Sequence, residues 1–229
     1  MKVTLTHFTH DPVEAIEEAA SNCYNSQPSN GRIMRACYNS GHHAVLEFAD
    51  FTFHIEGISR ALSHQLVRHR LASYAQRSQR YCSENGFYYV TPSTITKNEE
   101  ALNKYNNFMN NCEELYAELQ SLGIPNEDAR FVLPNACETQ IEVKMNFREL
   151  IHFMNERLCT RAQWEIRKLA EEMRREVIAI FPELKPYLVP KCESYAVAPY
   201  CTEHNSCGRH PKLKDIYTIY EKAKLDANT

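Results

Sequence analysis

Residues 138 to 146, ETQIEVKMN, set Ile141, Val143 and Met145 on alternate positions, and the next stretch, NFRELIHFMNERL, changes at once to helical spacing. A period of two buries one face of a strand, whereas a period near 3.6 buries one stripe of a helix. The same switch occurs earlier. ADFTFHIEG, 49 to 57, alternates Phe51, Phe53 and Ile55 against Thr52, His54 and Glu56 and ends at Gly57. Ile58, Ala61, Leu62, Gln65 and Leu66 then predict a helix from about Ile58 into Arg68-His69-Arg70. A chain that obeys both periods without regular βαβ alternation belongs to the α+β class, with a mixed or antiparallel sheet packed with helices.

The remaining segments fit that class. VTLTHF, 3 to 8, reads as a short strand, and Asp11 can cap a helix with Pro12 in its first turn and Ile16, Ala19 and Ala20 on one face. A short helix around Ile33 to Tyr38 stops near Gly41, and NGFYYVTPS, 85 to 93, predicts a strand closed by Pro92. From Asn98 to Leu122 an amphipathic helix places Leu102, Tyr105, Met109, Cys112, Leu115 and Leu119 on one side, and Gly123 and Pro125 end it. NEDARFVLP, 126 to 134, predicts a short helix capped by Asn126, and QWEIRKLAEEMRREVIAIF a long one. Residues 1 to 185 are expected to form a single catalytic domain. Residues 186 to 229 are expected to be an irregular Cys-, His- and Pro-rich extension with a short helix in KLKDIYTIYEKAKL.

A formal charge of -3, from 26 basic and 29 acidic side chains, gives no global cationic field for nucleic acid or an anionic membrane. No apolar run is long enough to span a bilayer and no secretory leader opens the chain, so a cytoplasmic protein with nine reduced cysteines is expected. Any anion site must be local. RHRLASYAQRSQRY, 68 to 81, is the candidate, with Arg68, His69, Arg70, Arg77 and Arg80 and hydroxyls on Ser73, Tyr74, Ser78 and Tyr81; the alternative is an ordinary solvated basic face. On one helix Arg77 and Arg80 would fall about 900° and 1200° past Arg68, so they share no face. A helix end followed by a loop that folds back can bring them round one ligand, and arginine forks suit phosphate oxygens. Neither a GxGxxG nor a GxxxxGK[ST] phosphate loop is present.

Arg68-His69-Arg70, seven residues, then Ser78 with Arg80-Tyr81 resembles the signature of the flavin-dependent thymidylate synthases. GHHAVLEFADFTFH at 41 to 54, Gln65, ARFVLP at 129 to 134, and Asn146-Phe147-Arg148 with His152, Arg157 and QWEI fall in that family's order over roughly residues 1 to 185. The resemblance implies an enzyme that converts dUMP to dTMP, with carbon from methylenetetrahydrofolate and hydride from NADPH through bound FAD. It implies a homotetramer with sites shared between chains, and neither nucleic acid nor membrane as a partner.

By motif, Arg68, His69, Arg70, Asn146, Phe147, Arg148 and His152 would bind FAD, with His42 and the backbone of Ala44 near flavin and folate. Gln65, Leu66, Val67 and Arg68 would reach dUMP. Ser78 and Arg80, with the backbone around Arg77 and Gln79, would hold its phosphate, and Arg130 of a neighbouring chain would add a contact. Arg157 would be catalytic, set against the uracil ring. Gln76 would touch flavin or nucleotide, although Ala75-Gln76 stands where the family usually has Asn-Glu. Two other readings of the residues remain open: a nucleotide- or RNA-binding module using the arginine segment with Tyr74, Tyr81, Tyr88 and Tyr89 as stacking surfaces, and a zinc-stabilised interaction protein. Cys192, Cys201, His204, Cys207 and His210 bear on the latter, but their Cys-x8-Cys-x5-Cys spacing matches no standard finger, so free thiols are expected and no metal is assigned.

Overall fold

A computed structural model describes residues 1–194 and 199–226. Its four strands, β1 (Lys2–Phe8), β2 (Asp50–Ser59), β3 (Ser73–Gln76) and β4 (Glu138–Asn146), form one sheet in the order β1-β2-β4-β3. The helices are α1 (Pro12–Tyr24), α2 (Arg32–Asn39), α3 (Arg60–Leu66), α4 (Ser93–Thr96), α5 (Glu99–Ser121), α6 (Asn126–Ala129), α7 (Phe147–Arg157), α8 (Trp164–Ile180) and α9 (Leu213–Asp226). The chain is α+β, as its periodicities require.

Contacts divide it into two units, Met1–Thr4 with Phe53–Lys144, and Leu5–Thr52 with Met145–Thr229. In the first, Phe53 and Ile55 of β2 and Ile141 and Val143 of β4 are buried, and β3 pairs antiparallel with β4, Tyr74 facing Val143 and Gln76 facing Ile141. Each such side chain removed from water contributes about 1.5–3 kcal/mol. In the second, Phe51 and Phe147 are wholly buried with ring centroids 5.9 Å apart, and Phe181 and Tyr187 meet them edge-on. Asp11 caps α1 by accepting from the Glu14 N–H at 3.0 Å, as expected. The buried Glu17 carboxylate holds the start of α2, accepting from the N–H groups of Ser29, Ile33 and Met34.

Several local expectations are corrected. β2 continues through Gly57, which takes φ +66, to Ser59, so the following helix starts at Arg60 and not Ile58. Ser59 caps it, accepting from the Leu62 N–H at 3.0 Å. A Cβ at Gly57 would sit 3.0 Å from the Met1 nitrogen, so the position also needs glycine for space. Residues 85 to 93 make only one bridge, Tyr89 to Cys137, flanked by the Val90 N–H to the Ala136 carbonyl at 2.9 Å and the Glu138 N–H to the Tyr88 carbonyl at 2.8 Å, so the expected strand shrinks to a single paired position. Asn126 does not cap α6. Pro125 occupies that position and the Asn126 side chain accepts from Gln120. On α5 the inward stripe is Met109, Cys112 and Tyr116, whose hydroxyl accepts from the Glu84 N–H at 3.2 Å, and Leu115, one position before Tyr116, is left exposed.

Candidate active site

The arginine segment lies in the first unit and is a turn, then a strand, then a second turn. α3 stops at Leu66, and Arg68-His69-Arg70 falls beyond it: the Arg68 N–H donates to the Gln65 carbonyl at 3.3 Å and the His69 N–H to that of Leu66 at 3.1 Å. The expectation that the helix carries this triplet on its last turn is therefore corrected. Tyr74, one strand position into β3, has its Oη 2.8 Å from the carbonyls of both Leu66 and His69. Its hydroxyl fastens the turn to the sheet edge and is not a ligand donor. Leu66 and His69 are buried, Gln65 is half-buried, and Val67, Arg68 and Arg70 are exposed. Among the described residues neither the Arg68 nor the Arg70 guanidinium is engaged with another side chain or carbonyl. Two unengaged guanidinia two residues apart on a turn whose backbone is fastened are suited to bind an anion.

β3 carries no signal in its own residues, since SYAQ has no apolar alternation. It exists because β4 offers it a pairing edge. Gln76 ends it, half-buried, with its amide donating to Thr139 Oγ1 at 3.3 Å. The Arg77 N–H bonds the Gln140 carbonyl at 3.0 Å, its side chain reaches Glu84 at 3.1 Å and the Ser83 carbonyl at 3.2 Å, and its own carbonyl takes the Arg60 guanidinium at 2.8 Å. Arg77 thus anchors the second turn from within. Burial draws the Arg60 guanidinium below its ordinary range. Gln79 reaches Cys137 Sγ at 3.8 Å. Burial, with the Glu84 carboxylate nearby, pushes that thiol up to about 11, so Cys137 stays protonated at neutral pH and is no nucleophile.

In the second turn Ser78 Oγ accepts from the Arg80 N–H at 3.2 Å. The Arg80 side chain runs to Glu127 at 2.6 Å and to the Tyr81 hydroxyl at 3.2 Å, with its guanidinium 5.2 Å from the Tyr81 ring centre. Arg130, exposed at the end of α6, donates to the Glu127 carbonyl at 3.1 Å. Glu127 thus brings Arg80 and Arg130 together within one chain. Nothing in the local sequence marks Glu127 or Glu84 as the partners of these arginines, one of them 47 residues from its guanidinium.

The second cluster lies in the other unit. Asn146, half-buried, caps α7, its Oδ1 accepting from the Glu149 N–H at 2.9 Å, so its amide NH2 is not used in the cap. The Phe147 N–H donates to the Ala49 carbonyl at 2.8 Å and its ring is in the core, so Phe147 sets the start of α7 by packing. Arg148, exposed, bridges to Glu47 at 2.6 Å. Glu47 sits on the 3-10 turn His43–Phe48 that also carries Ala44, with His42 just before it and both exposed. The structure therefore brings the His42 and Ala44 turn to the N-terminal end of α7. His152 is exposed on α7, and Arg157 is half-buried as its last residue. Gln163 of QWEI is a helix cap, accepting from Glu165 and Ile166 of α8.

The family described as "Thymidylate synthase complementing protein" matches residues 4–183. A flavin-dependent thymidylate synthase of Geobacter sulfurreducens is 43% identical over 231 residues, covering 95% of this chain and 98% of its own. That of Pyrococcus furiosus is 41% identical over 225 residues, covering 90% and 91%. Among solved structures, a flavin-dependent thymidylate synthase of Helicobacter pylori complexed with FAD and dUMP aligns with a TM-score of 0.66 at 25% identity, over 84% of this chain and 99% of that one. With the arginine turns and the capped α7 in that family's order, the chain belongs to the flavin-dependent thymidylate synthase family.

Proposed function

We propose that this chain catalyses the reductive methylation of dUMP to dTMP, with FAD as its cofactor, methylenetetrahydrofolate as carbon donor and NADPH as reductant. The observation that carries the reading is the turn of Arg68 and Arg70, two exposed guanidinia engaged with no other group among the described residues, on a backbone fastened by Tyr74. That donor set fits a diphosphate, which is the chemistry FAD brings. When bound, FAD supplies the two-electron redox chemistry that amino-acid side chains lack.

In this reading Arg68, His69 and Arg70 hold FAD, and Asn146 through its amide, Arg148, His152, His42 and the backbone of Ala44 form the second set of cofactor contacts. Phe147 fixes that set from the core. Gln65, Arg68 and the backbone of Leu66 and Val67 reach the nucleotide, with Gln76 at the strand end. Ser78, Arg80 and the backbone of Arg77 and Gln79 take its phosphate, and Arg130 adds a contact in a homotetramer. Arg157 sets its planar fork against the pyrimidine and stabilises the negative charge that builds as C5 becomes a nucleophile. Residues 1 to 185 act as one catalytic domain with 186 to 229 as an extension. The protein works in the cytoplasm on small molecules, with neither nucleic acid nor membrane as a partner. The small net charge supports this, and among the described residues no helix is long and apolar enough to cross a membrane.

The deciding assay measures flavin absorbance of purified protein and dTMP formation from dUMP with methylenetetrahydrofolate and NADPH, for wild type, Arg68→Ala and Arg157→Ala. Flavin binding with loss of turnover in both variants supports the assignment. Full activity in both overturns it, and salt-sensitive RNA binding without flavin would favour the nucleic-acid module.

A further inference from the structure

Four of the nine cysteines line one narrow cavity in the second unit. Cys159 comes from the turn after α7, whereas Cys192, Cys201 and Cys207 come from the C-terminal extension, beyond the residues that the family match covers. The cavity is about 30 Å³, room for one ion and too small for an organic ligand. At its edge, the Cys192 thiol, a ring nitrogen of His210 and a Glu193 carboxylate oxygen all lie within 4.8 Å of one another.

We propose that this cluster is a structural zinc site, with Cys192 and His210 as two ligands and two of the thiols of Cys159, Cys201 and Cys207 completing a tetrahedron. The donor chemistry selects the metal, since sulfur with imidazole suits zinc and disfavours magnesium or calcium. Zn–S and Zn–N bonds of about 2.0–2.3 Å put ligand atoms roughly 3.5 Å apart, so the Cys192 and His210 atoms, already within 4.8 Å of each other, have only a short way to close on an ion, and the other three thiols line the same cavity. Glu193 has another role. It lies 3.5 Å from His210 Nε2 and 3.3 Å from Arg209 Nη1, where its carboxylate helps to hold the ring at the edge of the cavity.

The surroundings give such a site a purpose. Between α8 and α9 the described extension has only short 3-10 turns and one isolated bridge, Cys201 to Lys212. Metal binding can supply the folding free energy that a segment with so little regular structure lacks. Each ligating thiol gives up its proton to solvent on binding, so affinity rises with pH. A closed site that uses Cys159 would also tie the extension to the turn two residues after Arg157, at the end of α7. The inference does not depend on the thymidylate reading.

The test is metal content. Full-length protein made in zinc-supplemented medium and purified under reducing, chelator-free conditions should carry about one zinc per chain. Cys192→Ser and His210→Ala should each lower that at least about fivefold, while Cys23→Ser, an exposed cysteine outside the cluster, leaves it unchanged. Should a variant fail to fold, titration of the metal-free wild type with cobalt decides: a stoichiometric thiolate-to-cobalt absorption band in the near ultraviolet supports the site. Less than about one-fifth zinc per chain with no such band overturns it, as does Cys192→Ser with wild-type zinc, or cysteines that pair as disulfides under the same reducing conditions.

Discussion

Replacing Glu127 by Gln gives a sharp test of how the second turn handles phosphate. Arg80 is the exposed cation assigned to the nucleotide phosphate, yet its side chain is already bound to the Glu127 carboxylate at 2.6 Å. With those side chains 55% and 46% exposed, the pair is solvent-screened and worth about 0.2–1 kcal/mol. A phosphate that takes the Arg80 Nε must displace that carboxylate, and one that takes the Nη donors still meets the negative charge of Glu127. Removing the charge should therefore tighten dUMP binding by about 1.4- to 5-fold, the same energies converted through RT. Arg130 is unaffected, because it donates to the Glu127 backbone carbonyl and not to its carboxylate. Calorimetric titration of FAD-loaded Glu127→Gln with dUMP measures the effect, and deoxyuridine, which lacks the phosphate, should bind wild type and variant equally. The gain should shrink as salt rises. Weaker dUMP binding in the variant would refute the reasoning, since it would mean that the carboxylate holds Arg80 in place for phosphate and does not compete with it.

Asn146→Ala should lower stability by about 0.5–2 kcal/mol through the lost α7 cap and also weaken FAD binding, whereas Asn146→Asp keeps the cap and weakens FAD alone. Thermal melts beside flavin titrations separate the two, and unchanged FAD affinity in the Asp variant would remove Asn146 from the cofactor site. Burial opposes charge on Glu17, but the N–H groups of Ser29, Met34, Gly31 and Ile33 outweigh it and hold the carboxyl below its ordinary 4.5. Its contribution is therefore fully present above about pH 4.5 and is lost as pH falls through the lower folded value. Glu17→Gln should be less stable at neutral pH and lose less on acidification; parallel acid unfolding curves would contradict this. Arg157→Lys keeps the charge but loses the planar fork, and should cut turnover by about 10²-fold or more with flavin content intact. Near-normal kcat would remove its catalytic role.

Local pattern was enough wherever one segment carried its own periodicity. Glu138–Asn146 and Phe147–Arg157 lie where the switch from period two to 3.6 puts them, because each buries a stripe visible in its own residues. The Asp11 cap needs only neighbours in sequence and was equally legible. Tyr89 and its aromatic neighbours have the composition of a strand yet make a single bridge, since strand formation requires a partner edge that composition does not reveal. Leu115 follows the same logic on α5, displaced from the inner face by Tyr116.

The sequence alone determined the α+β class, the family, and the residue types that make up the proposed anion and flavin sites, because motif order and periodicity are properties of the chain itself. Only the tertiary structure decided what each arginine is engaged with: Arg77 with Glu84, Arg80 with Glu127, Arg148 with Glu47, and Arg68 and Arg70 with no other group among the described residues. It likewise made SYAQ a strand, turned Tyr74 from a ligand donor into a fastener, and set Cys159 beside the thiols of the extension. These pairings join residues up to 101 positions apart. A guanidinium or a thiol has no preference for one such partner until the folded backbone brings it within reach, so no local pattern could have recorded the choice.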